Sequence, residues 1–436
     1  MRKKRLLALI GTLCLILALV AIPLAACAPE EPTPTPVEPT PTPVEPIVIG
    51  VPTSLGYPHG AEGLEAVKMA TEEINAKDGV SVAGVKHLLK VESIDDRSAA
   101  PGTAVSDALM AYEKLILEKK PNVLIVGTYR SEVALAAMDL LSEYKTIELN
   151  TIHMSPAVWQ KVGENYDEYK YNFRACHDAI QMATSIAAQF DVLKEKYGLS
   201  KCYVINEDAA WAHATAGATV GMIEAQGWEV VGHDVTPLSV TDYSAPLLGV
   251  TSTGAQAVCA VFSLPETAVM AKQMYDMKVP AILAGYHSYI VPGHLWETLD
   301  GKVAYAVVTA GELGLVPSSK YPKSVEFFDK FKKRLGHWPD ADHSGATAYD
   351  AVYIYAAAVE RAGSLDPEKV IPALEATDYM GVNGRMRFSP EHQMIFGNDP
   401  NETACEVTFQ WIDGERVPVL PKSIAEGEIQ LPPWME

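Results

Sequence analysis

The 436-residue chain carries 35 basic against 55 acidic side chains, a formal net charge of −20. Such an acidic surface argues against nucleic acid or anionic lipid as a partner, since both are polyanions. The length is enough for two domains of ordinary size, each with its own core.

In chain order, Arg2, Lys3, Lys4 and Arg5 precede an apolar run over 6–22, shorter than the ~20 residues of a membrane span. Basic residues, an apolar run and small residues at the end make a signal peptide over 1–26. Leu24-Ala25-Ala26-Cys27 resembles the bacterial lipobox, in which the cysteine thiol is lipidated and becomes the new N-terminus. Several acyl chains on Cys27 would anchor the protein where a single chain would not. Residues 27–46 form a linker in which PTPTPVE occurs at 32–38 and again at 39–45. Proline at nearly every second position forbids helix and sheet, so the segment reads as a polyproline II stalk of up to about 60 Å. Cys176, Cys202, Cys259 and Cys405 match no metal spacing and read as structural thiols, with no pairing assigned.

From Ile47 onward strand and helix alternate. IVIGVP (47–52) is a strand, 61–76 a helix stopped by Gly79, HLLKVESID (87–95) a strand and 101–119 a helix. Val123 to Gly127 is a buried strand, and the turn Thr128-Tyr129-Arg130 leads to an alanine-rich helix with Ser131 in the N-cap position. A hydroxyl, main-chain N–H groups and the positive end of a helix converge there, which suits an anion as well as a plain cap. After FRACHD (173–178) a second series of the same rhythm runs through KCYVIN (201–206), WEVVGH (228–233), AQAVCAVF (255–262) and AILAG (281–285). Beyond 310 the chain turns helical, with 344–363 apolar nearly all round and Asp366-Pro367 opening another helix. The tail reads as a hairpin turning at Asp413-Gly414. The fold class is therefore α/β, with parallel sheets covered on both faces.

Several of these stretches, IVIGVPTSLGYPHGAEGLEAVKMATEEINAKDGV, IDDRSAAPGTA, VGTYRSEVALA, NFRACHD, GATAYDAVYIYAAAVERAG and GVNGRMRFSPEHQ, stand in one order over 47–420. Together they make the chain similar to the substrate-binding proteins of branched-chain amino acid ABC transporters, the type I periplasmic binding fold. The resemblance implies two doubly wound lobes joined by a three-strand hinge. Lobe 1 is expected over 47–174 and 306–384, and lobe 2 over 175–305 and 385–436. It implies an extracytoplasmic, lipid-anchored monomer that captures a small solute by lobe closure and passes it to an ABC permease. The other reading is a ligand sensor that signals through a membrane receptor.

The resemblance also carries site residues. Ser131 matches the family serine that holds the ligand carboxylate, beside Tyr129. Ser155 is the candidate hydroxyl after the fourth strand, with Asn150 and Thr151 competing. Tyr57 and His59 stand in the first ligand loop, and Trp211 matches a ligand-stacking tyrosine. The family's ammonium-binding acid is missing from Gly285-Tyr286-His287-Ser288, which leaves Tyr286 and His287 in that turn. Either Glu207 or Asp208 takes the acid's role, or the ligand is not an amino acid, and an aromatic acid, an aliphatic carboxylate or an amide fits instead. No nucleophile elbow, phosphate loop or H-E-x-x-H motif is present, so no enzyme is expected. No histidine pair has i, i+4 helical spacing, so neither metal nor cofactor is expected. Asp95-Asp96 reads as a turn and cap.

Overall fold

Short apolar runs that end in polar turns pack here as two parallel sheets. The computed structural model describes residues 44–435 apart from 101 and 239; the signal segment, Cys27 and nearly all of the proline-rich stalk lie outside the described residues. The first sheet contains β1 (Ile47–Thr53); a hairpin, β2 (Val80–Val82) and β3 (Val85–His87), precedes its neighbour β4 (Leu89–Asp95). It continues with β5 (Val123–Val126), β6 (Glu148–Asn150) and β7 (Asn172–Arg174), in the all-parallel order β4-β1-β5-β6-β7. The second sheet contains β8 (Lys201–Glu207), β9 (Glu229–Thr236), β10 (Ala257–Phe262) and β11 (Ile282–His287), in the parallel order β11-β10-β8-β9. Then β12 (Val307–Ala310) leads through the hairpin β13 (Tyr379–Gly381) and β14 (Gly384–Met386) to β15 (Val407–Ile412) and β16 (Glu415–Leu420). The last pair turns at Asp413-Gly414, both with positive φ, and joins β12 antiparallel.

Each sheet has its own core. Ile49, Val51, Val67, Ile125 and Leu149 pack with Val352 and Tyr355 of the helix Gly345–Ala362. Ile205, Val258, Phe262 and Leu283 pack with Phe409 and Trp411 round the second sheet. Phe388, Met394 and Ala404 join the first core, and Val407 the second. The four cysteines are buried free thiols. The helix expected from residue 101 starts at Val105, because Gly102 has φ 78° and breaks the helical path. The strand expected over 87–95 is interrupted at Leu88. Asp366 caps Pro367–Glu375 through the Glu368 N–H, as expected. Asp95 accepts from Leu55 N–H and Arg97 N–H, and Asp96 from Ser98 N–H and the Ser54 hydroxyl, the turn and cap roles read from sequence.

Two buried charges fix the chain where it passes between the cores. Arg174, 1% exposed, donates to the carbonyls of His153 (2.8 Å), Ser155 (3.0 Å) and His177 (2.6 Å) and to Gln393 Oε1 (2.8 Å). Glu312, just after β12, accepts from the N–H groups of Ser344 (2.7 Å), Ala346 (2.7 Å) and Thr347 (3.1 Å) and from the Thr347 hydroxyl. It therefore caps the helix Gly345–Ala362 from a distant strand. Glu312→Ala would leave these donors dry and unpaired, and should lower unfolding stability by about 3 kcal/mol or more in a urea titration.

The pH dependence follows from buried groups whose pKa values move in opposite senses. Burial pushes Glu148 up to about 7 and Asp350 and Glu406 up to about 8. These acids hold protons that the unfolded chain has lost above ~4.3, so they destabilise the fold progressively as pH rises to about 8. Burial also lowers His153, His177 (to about 3) and His287 (to about 4). Their stabilisation is present above the unfolded value of ~6.5 and is lost as pH falls. Thermal melts should therefore give maximal stability near pH 5 to 5.5, where proton uptake by the unfolded histidines balances that held by the folded acids, with a decline toward pH 8; a Tm still rising at pH 8 would contradict this.

Candidate functional site

The carboxyl ends of both sheets face one cleft, where a cavity of about 370 Å³ lies. One wall begins at the end of β5. Val126 and Gly127 both have φ 79°, a region that a β-branched residue rarely occupies, and strain of this kind clusters at binding turns. A Cβ on Gly127 would lie 2.0 Å from Asn150 Nδ2. The turn so formed presents Tyr129, Arg130, Ser131 and Glu132 to the cavity.

Ser131 is not the N-cap. It is the first residue of the helix Ser131–Glu143, and Arg130 holds the cap position without a side-chain cap bond. The first N–H groups of a helix have no intrahelical acceptor, so those of Ser131 and Glu132 remain available with the Ser131 hydroxyl. The Arg130 guanidinium donates to Glu132 Oε1 (2.7 Å) and to the Thr103 carbonyl (2.7 Å). Glu132 is thereby neutralised at the helix tip, which keeps the site favourable to an anion.

Aromatic rings line both sides. Tyr57 and Tyr129 lie 5.0 Å apart on the first half, and Trp211 meets Tyr286 edge-on at 5.6 Å on the second. Glu207 also lines the cavity, but its carboxylate accepts from Ser263 N–H (2.9 Å), the Ser263 hydroxyl (2.6 Å) and Trp211 Nε1–H (3.2 Å). Burial raises its pKa. Glu207 therefore positions Trp211 and Ser263 and has little capacity left for an ammonium group. Asp208 stands at the mouth, exposed and 2.9 Å from His213.

Seven of the residues expected at the site thus meet round one cavity: Tyr57, Tyr129, Ser131, Glu207, Asp208, Trp211 and Tyr286. Three do not line it. Ser155 accepts from Ala157 N–H (3.3 Å) at a helix start, and its carbonyl serves Arg174. His287 is buried against Phe262, with Nε2 3.0 Å from the Thr267 carbonyl. His59 lies not in a loop but buried in the first turn of the helix Pro58–Asn75, with Nε2 2.9 Å from Asp342 Oδ1. Of the rivals to Ser155, Asn150 accepts from Ile152 and His153 N–H, and the Thr151 hydroxyl pairs with that of Ser344.

Sequence reasoning missed Asp342 and His343. His343 lines the cavity, and the Ser288 hydroxyl donates to Asp342 Oδ1 at 2.6 Å. The turn after β11 therefore does meet a carboxylate, one brought from a segment 54 residues later. The only signal was the Asp-His pair just ahead of an apolar helix.

A family model described as periplasmic binding protein matches residues 46–398. Leu/Ile/Val-binding protein homolog 7 of Brucella suis biovar 1 (strain 1330) is 26% identical over 385 residues, covering 86% of this chain and 90% of that protein. The structure of a putative branched-chain amino acid ABC transporter from Silicibacter pomeroyi matches with a TM-score of 0.76 at 19% identity, covering 89% of this chain and 100% of the other. A solute-binding protein of an R. palustris ABC transporter, solved in complex with benzoate, matches with a TM-score of 0.66 at 18% identity, covering 87% and 99%. The chain belongs to the periplasmic binding protein family, as an extracytoplasmic solute-binding protein of the ABC transporter type.

Proposed function

We propose that this protein is the lipid-anchored capture subunit of an ABC importer and that its solute is an aromatic carboxylate. The observation that carries this reading is the pairing of an anion-binding helix start, Ser131 and Glu132 N–H, with rings on both sides of the cavity. The carboxylates that line it are engaged, Glu207 with Ser263 and Trp211, Glu132 with Arg130 and Asp208 with His213. An α-amino acid would bury an ammonium group for which the lining carboxylates have no oxygen to spare, the unpaired Asp342 Oδ2 standing outside that lining. That benzoate occupies a protein of the same fold is consistent with the reading. The name of the Brucella relative favours a second one, a branched-chain amino acid.

The proposed lobes are the two cores, and the chain crosses between them near 175, near 312 and again near 405. These points follow the packing of Val308 with the second core and of Phe388, Met394 and Ala404 with the first. Cys27, the stalk and the permease belong to the same proposal, supported by the lipobox-like LAAC and by the family.

Ligands stabilise a folded protein by mass action, so a thermal-shift series separates the two readings. Benzoate and hydroxybenzoates should raise Tm while leucine, isoleucine and valine leave it unchanged; the reverse result overturns the aromatic assignment. For the best hit, Ser131→Ala should weaken affinity about tenfold, the worth of one charge-assisted hydrogen bond. Trp211→Ala should cost at least as much through the lost ring contact, by calorimetric titration.

A further inference from the structure

Apart from the anion-binding turn, the cleft contains a knot of three side chains from distant parts of the chain. His59 begins the first long helix, and Asp342 and His343 precede the helix Gly345–Ala362. All three are buried, at 1%, 0% and 2% exposure. His59 Nε2 and His343 Nδ1 both point at Asp342 Oδ1, at 2.9 and 3.2 Å. One nitrogen or oxygen of each lies within 4.8 Å of the others.

We infer that His59, Asp342 and His343 form a binding site for one divalent transition-metal ion of the zinc class, open on one side to the solute cavity. Donors round a tetrahedral ion with bonds of ~2.0 Å are separated by about 3.3 Å, close to the two distances seen. The outer contacts are those a metal site needs. His343 Nε2–H donates to the Ile152 carbonyl at 3.0 Å, which turns Nδ1 inward, and the Ser288 hydroxyl orients the carboxylate. Two buried polar atoms of the knot, His59 Nδ1 and Asp342 Oδ2, have no hydrogen-bond partner. Groups this dry are rarely left unpaired without a further occupant. A bound ion would take Asp342 Oδ2 or Oδ1 and move the His59 proton to the idle Nδ1.

Two imidazoles and one carboxylate select a borderline-soft ion over magnesium or calcium, which prefer oxygen. With three protein ligands the fourth position is free. Because His343 lies on the cavity wall, that position is reached from the cleft. A divalent ion on these ligands keeps one net positive charge beside the cavity, which would attract an anionic solute. The metal site itself does not depend on which solute is carried.

The test uses the full chain, stripped with a chelator, dialysed and titrated first with ZnCl2 and then with CoCl2, no solute present. One equivalent should bind, Tm should rise, and cobalt should give the visible absorption bands of a four-coordinate site. His59→Ala and His343→Ala should each weaken binding by about tenfold or more. His337→Ala, in the partly exposed group Glu62, His337 and Asp340, should leave it unchanged. If an alanine variant does not fold by circular dichroism, His343→Gln and Asp342→Asn decide in its place. Absence of binding to the stripped wild type overturns the inference. So does binding that survives loss of both His59 and His343, or that disappears with His337.

Discussion

The guanidinium of Arg174 is the constraint on which the rest of the architecture depends. It sits at the end of β7, almost completely dry, and among the described residues it has no carboxylate partner; its hydrogens go to main-chain carbonyls, to His153 Nδ1, to Cys176 Sγ and to Gln393. A buried charge is tolerated only when its donors are satisfied, and here the acceptors come from three separate stretches of chain. Arg174 N–H also donates to the His392 carbonyl, and its own carbonyl accepts from Met394 N–H. The end of β7 and the segment 392–394 are thus held together at one residue. Burial, and then the Arg174 charge beside it, keep His153 neutral, with its pKa well below the usual imidazole range. Glu312 does the converse job on the middle passage, an anion held by backbone donors at a helix start. Neither charge relies on the other, so the hinge is tied to each lobe through peptide groups, whose positions vary little.

The cleft uses the same economy of acceptors. Glu207 is a carboxylate at the end of a strand, where a solute could meet it, yet its oxygens are taken by Ser263 and Trp211. Its effect is to hold an indole ring upright against Tyr286. On the proposed function the cavity would therefore recognise shape and negative charge more than positive charge. Gln189 provides similar order behind the second wall. It accepts from Gly285 N–H and donates to the Gly285 carbonyl and the Thr309 hydroxyl, so that β11 and β12 lie at a fixed spacing.

Much of this was legible because it is local. Alternating apolar runs and helical faces gave the two parallel sheets, and a strand end followed by a turn placed Ser131 at the cleft, whereas Tyr57, Tyr129, Trp211 and Tyr286 came with the family resemblance. The family resemblance added the two-lobe plan. What stayed hidden depends on contacts between distant residues. His59 and Asp342 are 283 positions apart, and no spacing rule connects them. A histidine in a loop reads as exposed, whereas this one is covered by Tyr57, Tyr129 and His343. Ser131 was displaced by a single position, because the strained end of β5 brings Arg130, not serine, into the extended conformation that a cap requires. Ser155 and His287 stand at plausible strand ends but are diverted by Arg174 and by a backbone carbonyl.

The bond from Ser288 to Asp342 joins the second half of the molecule to the first, and Asp342 is fully buried between them. Parting them admits water to a carboxylate and two imidazoles, and hydration of those groups favours the parted form. On the proposed function a solute would have to outweigh that hydration to keep the jaws together. Small or ill-fitting molecules that enter would leave the cleft ajar, and a membrane partner that recognises only the shut outline would be spared futile encounters with empty protein.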